Sequence, residues 1–257
     1  MIRAASARRL GHTIHRFAAL DSTQGEAARC AAAGAHEGTV VIAAHQSAGR
    51  GRRGHVWLDA PGESLLMSVV LRPPIAAALA PQLSLVSAIA VADALHEVPG
   101  VQAEIRWPND VLLDGRKVSG ILAEASTDPS GRLAHVILGI GVNVNQLVFP
   151  DELTQRATSL RLATERPHEV AAVLGALLEA LQERYARFLE GGLSALRQAW
   201  LERAWSIGRR AQAADGREGL AVDLAADGAL VLRMDDGRTL RIVAGEVAAE
   251  ADHAPAH

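Results

Sequence analysis

Residues 45–57, HQSAGRGRRGHVW, put Arg50, Arg52 and Arg53 within four positions and interleave them with Gly49, Gly51 and Gly54. Guanidinium groups repel one another, and each ordered glycine costs backbone entropy, so the segment needs something to offset both. GRGRRG fits the G-x-G-x-x-G pattern, and a strand-like run, TVVIAA (39–44), precedes it. A dinucleotide fold also needs a helix directly after the glycines and an acidic residue about 20 positions on. Here HVWLDAPGESLLMSVV follows, a loop and then a strand, which excludes that fold. A P-loop is excluded as well, because no G-x-x-x-x-G-K-[ST] occurs. Two readings remain: a solvated basic turn, or a loop that orders over an anion through arginine forks and glycine amides.

Any such anion binds locally. The formal net charge is −3, so no global field draws the chain to nucleic acid or an acidic membrane. Its 257 residues are 49% hydrophobic, enough for one core of about 150–200 residues and a smaller unit. Cys30 is the only cysteine, which excludes an intrachain disulfide and fits a reducing, cytoplasmic setting. No secretory signal and no apolar run of about 18 residues is evident, so no membrane partner is expected. The opening MIRAASARRLGHTIHR is arginine-rich and acid-poor, as transit peptides are, but fold-like patterning starts almost at once. His12 and His15 have H-x-x-H spacing without a third ligand, and H-E-x-x-H, EF-hand and serine-hydrolase patterns are lacking. A metal held by the protein is not expected; Mg2+ would arrive with a nucleotide.

The patterning predicts α+β order. Thr23 and Glu26 are spaced as a capping box, with Gly34 as a helix stop. SLLMSVVLRP (64–73) reads as a strand and residues 81–98 as a helix. Asp114-Gly115 between two apolar runs signals a hairpin, and AHVILGIGVNVN (134–145) is another strand. Val170, Leu174, Leu177, Leu181, Tyr185 and Phe188 form one stripe of a long helix that Gly191-Gly192 ends. Past Ile207, Asp-Gly pairs recur at 215–216, 227–228 and 236–237 between short alternating runs, the pattern of a small β meander or barrel. The expected division is a main unit at 1–206, a β unit at 207–248 that packs on it, and a disordered tail at 249–257.

Three further clusters carry chemistry or simple turns. In RWPNDVLL, Pro108 holds Trp107 extended and Asn109-Asp110 sits at a turn before a strand. In DGRKVSGILAEAS, Lys117 is either a solvent-facing strand residue or a ligand group, and Gly120 allows close approach by a ligand or backbone. GIGVNVN ends the 134–145 strand with two glycines and Asn143; the plain alternative is a bulge and turn. Trp57 offers an aromatic face or fills core.

Taken in order, DSTQ, AAHQSAGRGRRGHVW, RWPNDVLLDGRKVSGILAE and GIGVNVN closely resemble the biotin protein ligases over roughly residues 12–247. The resemblance implies a mixed central sheet with helices, a small C-terminal SH3-like β-barrel, and an ATP-dependent ligase. Such enzymes form biotinyl-5′-AMP from biotin and ATP and pass the biotinyl group to one lysine of a biotin carboxyl carrier domain. Carried over by motif, Ser22, Thr23 and Gln24 would meet the ureido ring, with Gln46 nearby and Gly120 on the pocket floor. Gly49, Arg50, Gly51, Arg52 and Arg53 belong to the loop that closes over biotin and phosphate. Lys117 would meet the carboxylate and α-phosphate; Trp57, Asn109 and Asn143 fit the nucleotide side; Asp110 fits metal or carrier-lysine handling. Lys117, Arg52 and Asp110 are thus the candidate catalytic residues. Three departures stand out: Gln24 where many relatives have Asn, Arg106 for Lys, and His55-Val56 where basic residues are common. Only 21 residues precede Ser22, short of the ~60 a winged helix needs, so no DNA binding is expected. A homodimer is compatible with an exposed edge strand.

Two other classes stay in view. Lipoate or octanoate ligases and transferases share the catalytic fold, but the complete glycine–arginine loop and the C-terminal β unit argue against them. A nucleic-acid module would use Arg-Gly contacts, but the net charge of −3 and only one tyrosine and three phenylalanines leave few stacking platforms.

Overall fold

The computed structural model describes residues 9–213 and 215–242, and the backbone of 248 and 249. Of the tail expected to be disordered, 249–257, Ala249 is instead paired with Ala211 in a strand, and residues 250–257 lie outside the described residues. In chain order the first unit runs β1 (Thr13–Phe17), α1 (Thr23–Ala32), β2 (Thr39–Ala43), β3 (Ser64–Leu71), α2 (Gln82–His96), β4 (Ala103–Arg106), β5 (Asp110–Leu113), β6 (Arg116–Thr127) and β7 (Leu133–Asn143). Then come α3 (Leu160–Thr164), α4 (Val170–Gly191) and α5 (Arg197–Leu201). The seven strands make one sheet in the order β1-β2-β3-β7-β6-β5-β4. The β1–β2 pair is parallel and the other pairs are antiparallel.

Strand alternation sends successive side chains to opposite faces. Val40, Val69 and Leu138 join α2 and α4 in the main core, while Val41, Val70 and Ile137 meet Ala27 and Ala31 of α1. The α1 helix covers only part of its face, against β2, β3 and β7. The face is continued by Leu66, Ser68, Gly139 and Gly141, and the glycine–arginine loop lies over it.

The start of α1 differs from the expected capping box. Ser22 is the cap, its hydroxyl accepting from the Gln24 amide at 3.3 Å. The Thr23 hydroxyl is engaged by Gln46 and Ser68 and is not available to cap. Gly34 ends the helix at φ +88° as predicted. The α2 helix is buried almost all round, which marks a core helix. With its preceding turn it is long and apolar enough to cross a membrane, contrary to the expectation of no such run. Since 72% of it is buried inside the fold, its apolar length is explained by packing. In α4 the predicted stripe faces inward, with Leu174, Leu177, Leu181, Tyr185 and Phe188 buried.

A second, antiparallel sheet follows: β8 (Arg210–Gln212), β9 (Glu218–Leu224), β10 (Leu230–Arg233), β11 (Thr239–Ile242) and β12 (Ala248–Ala249), in the order β11-β10-β9-β8-β12. Gly216, Gly228 and Gly237 adopt φ +84°, +88° and +82°, the left-handed backbone that each Asp-Gly turn demands. Among the described residues β11 and β12 do not pair, so this sheet is open there. Leu224, Leu230, Leu232 and Leu240 share the core of the first unit, and Trp107 Nε1 donates to the Gly228 carbonyl at 2.9 Å. This small sheet therefore packs on the larger body, as its size requires.

Candidate active site

The glycine–arginine loop folds back on itself as a small hairpin. The Trp57 amide donates to the Gly49 carbonyl at 3.0 Å, and the Gly51 amide to the His55 carbonyl at 2.7 Å. A Cβ on Gly49 would stand 2.4 Å from the Trp57 carbonyl oxygen, so no side chain fits there. The crowded arginines diverge. Arg50 pairs with Glu124 of β6 at 2.7 Å, Arg52 donates to Asn109 Oδ1 at 2.8 Å, and Arg53 is exposed. Asn109 is buried and held in turn by its own amide donating to the Ile121 carbonyl at 2.9 Å.

Beneath the loop, Gly120 of β6 pairs with Gly141 of β7. Cβ atoms there would approach the Trp57 ring to 2.9 and 2.6 Å, so the indole lies flat on a glycine window. Lys117 Nζ stands 5.7 Å from that ring's centroid, within cation–π range. The same ammonium pairs with Asp110 Oδ1 at 2.7 Å, and Arg106 holds Asp110 Oδ2 at 2.9 Å. Burial alone would raise the Asp110 carboxyl, but Lys117 and then Arg106 outweigh it and hold the pKa below the usual carboxylate range. Asp110 is therefore ionised and already committed to two cations.

At the other end of the cavity, neutral groups converge. Gln46 Oε1 accepts from the Thr23 amide at 2.7 Å and faces the Thr23 hydroxyl at 3.1 Å. Thr23 Oγ1 lies 2.9 Å from Ser68 Oγ, which donates to Gln24 Oε1 at 3.1 Å. Gln24 Nε2 donates to the Ile137 carbonyl, and a Cβ on Gly139 would sit 2.5 Å from Gln24 Oε1.

Of the residues singled out from sequence, Ser22, Thr23, Gln24, Gln46, Arg50, Gly51, Arg52, Trp57, Asn109, Lys117 and Gly120 line this one cavity. Gly49 and Arg53 do not line it and border a second cavity along the loop instead. Asp110 reaches the site through Lys117, and Asn143 is buried with its amide donating to the Thr158 carbonyl at 2.9 Å. The free volume is about 60 Å³. A larger cavity of about 590 Å³ adjoins it, sharing Arg52, Asn109 and Leu122 and reaching Asp227–Ala229 of the small sheet. Sequence reasoning missed Ser68, and it noted the strand glycines Gly139 and Gly141 without giving them a place in the site. The GIG segment is regular strand, not a bulge or turn. Glycines two apart in an apolar strand were the available signal. Among the described residues no three acidic, histidine or cysteine side chains cluster as a metal site.

Comparison with known proteins gives the same reading. Residues 17–143 match the model of the Biotin/lipoate A/B protein ligase family. The chain is 38% identical over 239 residues to a Biotin--[acetyl-CoA-carboxylase] ligase of Paracoccus denitrificans, covering 90% of this chain and 98% of the relative. It belongs to the biotin protein ligases. Another member, the bifunctional ligase/repressor BirA of Bacillus subtilis, is 40% identical over 223 residues, 85% of this chain and 68% of the longer protein. The fold agrees as well: the biotin protein ligase of Aquifex aeolicus in complex with biotin and ATP superposes with a TM-score of 0.80 at 28% identity, covering 93% and 99% of the two chains.

Proposed function

We propose that this chain joins biotin to ATP and then to a carrier protein. In the first step a biotin carboxylate oxygen attacks the α-phosphorus, forming biotinyl-5′-AMP and expelling pyrophosphate. In the second, a lysine amine of a biotin carboxyl carrier domain attacks the acyl carbon; AMP leaves and the amine gives up a proton. The observation that carries the reading is a cavity with Arg50, Arg52 and Lys117 at one end and the neutral Thr23, Gln24, Gln46 and Ser68 at the other. Neutral donors and acceptors suit a ureido ring, and the cations suit two anions that must be forced together. Fixed positive charge around that meeting offsets their repulsion and favours the crowded phosphorus transition state. Trp57 and the loop would exclude water from the mixed anhydride, with Asn109 and Asn143 on the nucleotide side.

Asp110 has both oxygens on cations, which does not suit a resident metal. Mg2+ is read as part of the MgATP substrate. Lys117, held by Asp110 and lying over Gly120, is aimed to where charge develops. On this reading residues 1–206 are the catalytic unit and 207–248 an SH3-like barrel; the succession of Asp-Gly hairpins supports it. Cys30 as the sole cysteine supports a cytoplasmic setting.

The deciding experiment is substrate-dependent ATP–pyrophosphate exchange with biotin, lipoate and octanoate offered separately. Exchange with biotin alone supports the reading. Exchange with lipoate or octanoate instead moves the chain to that activity, and no exchange with any of the three overturns adenylation.

A further inference from the structure

The glycine–arginine loop leaves β2 at residue 44 and rejoins the sheet at β3, and one pair of side chains bridges its two stems. His45 Nδ1 lies 2.9 Å from Asp59 Oδ2. The other carboxylate oxygen, Asp59 Oδ1, accepts from the Gln46 amide at 3.3 Å. The Asp59 side chain is fully buried, while that of His45 is about one-third exposed. A buried carboxylate is retained only where donors hold it, and here both donors come from the opposite stem. The consequence reaches further than the loop base. Gln46, fixed through its amide by Asp59, is the residue whose side chain accepts from Thr23 in the neutral end of the cavity.

We propose that Asp59 is a positioning residue: it clasps the far stem of the loop to His45 and Gln46, so that loop closure and the Thr23–Gln46 pocket are set together. Ordering a loop with glycines at 49, 51 and 54 is entropically costly, and pinning its ends shortens the segment that must still be ordered. Two neighbouring contacts make the coupling stiff. The Leu20 amide donates to the His45 carbonyl at 3.1 Å, and the Ser47 amide donates to the Leu20 carbonyl at 2.9 Å, which ties this stem to the chain just before Ser22. The role in the Thr23–Gln46 pocket rests on the biotin reading; the clasp itself does not.

The test uses the full chain with Asp59→Ala, Asp59→Asn and His45→Ala. An asparagine keeps both contacts without charge, its oxygen accepting from Gln46 and its amide donating to an unprotonated His45 Nδ1. Three quantities are read: tryptic cleavage at Arg50–Arg53 of the ligand-free chain by mass spectrometry, the biotin KM and kcat in pyrophosphate exchange, and the thermal midpoint. Asp59→Ala is expected to speed loop cleavage and raise the biotin KM, each roughly tenfold, with kcat changed less than KM. Asp59→Asn should restore both toward wild type. His45→Ala removes a partly exposed group and keeps the fold, so it still tests the clasp should Asp59→Ala not fold; it too is expected to speed cleavage. Wild-type cleavage in His45→Ala, or an Asp59→Asn protein as impaired as Asp59→Ala, would overturn the proposal. If the wild-type chain shows no exchange with biotin, the functional reading fails while the ligand-free cleavage rates still decide the clasp.

Discussion

Lys117 and Gly120 are three residues apart on one strand, yet both face the same side of the sheet. A regular strand would turn them to opposite faces. The pairing of β5 with β6 slips by one residue between Val111 and Leu112, so Lys117 pairs with Leu112 and Ser119 with Val111. That bulge buries Val118 in the main core and turns the Lys117 ammonium over Gly120, where a Cβ would lie 3.1 Å from Nζ. Bulges beside active sites commonly re-aim a side chain in this way.

Lys117→Ala should therefore cost catalysis far more than stability. It removes the ammonium aimed into the cavity but leaves Asp110 its contact with Arg106. Pyrophosphate exchange with biotin is expected to fall by roughly 100-fold or more, the size of effect seen when one transition-state donor is lost. The thermal midpoint should move by only a few degrees, about what 1 kcal/mol produces. Parallel losses in both measurements would mean that Lys117 is a structural partner of Asp110 and nothing more.

The glycine window makes a second demand. In Gly141→Ala the new methyl would stand 2.6 Å from the Trp57 indole, far inside contact distance, so the ring must lift. Alanine is otherwise acceptable in a strand, and the sheet should hold. Misplacing a covering group by about 1 Å can cost on the order of 100-fold in rate. The expected result is a folded protein with sharply reduced exchange and altered tryptophan emission. Wild-type exchange would show that Trp57 need not lie on the window.

Much of this was legible in the sequence, and the reasons differ by element. Asp114-Gly115 and the three later Asp-Gly pairs announce hairpins because left-handed backbone favours glycine, a local rule that tertiary packing did not override. The α4 stripe was equally plain. Lys117 was named from its motif, but the direction it points was not legible, because a bulge is a property of the pairing between two strands and leaves no mark on either alone. Gly139 and Gly141 were flagged but misread: their need for hydrogen side chains comes from Gln24 and Trp57, over 80 residues away in the chain. The capping box failed for a similar reason, since the hydroxyl of Thr23 is claimed by Gln46 and Ser68. Local chemistry reads locally; convergence does not.

Arg52→Ala tests containment. Arg52 crosses from the loop to Asn109 and borders both the small cavity and the larger one beside it. Its loss removes little packing, so the fold should survive with a midpoint near wild type. Without it the adenylate should escape, seen as release of biotinyl-AMP faster by about tenfold or more, the loss expected for a charge-assisted contact. Unchanged retention of the adenylate would undo this role for the loop.

Acid should weaken the fold through its partly buried histidines, and His96 is one cause. Burial, and then the charge of Arg203, hold its pKa below the ordinary histidine value despite Asp93 nearby. Its Nε2 accepts the Ala103 amide at 2.9 Å, a contact that needs the neutral ring. The unfolded chain takes up the proton at about pH 6.5 and the folded chain only at lower pH. Stability from His96 is therefore complete above about pH 6.5 and is lost as pH falls through the folded value. His135 and His168 are shifted the same way, also chiefly by burial, so the three act together. Urea midpoints measured at about pH 7.5 and about pH 5.5 should show a clear drop in the wild-type chain. His96→Gln can still accept from Ala103 but cannot titrate, and it should remove part of that drop. An identical drop in the variant would mean that His96 does not set the acid sensitivity.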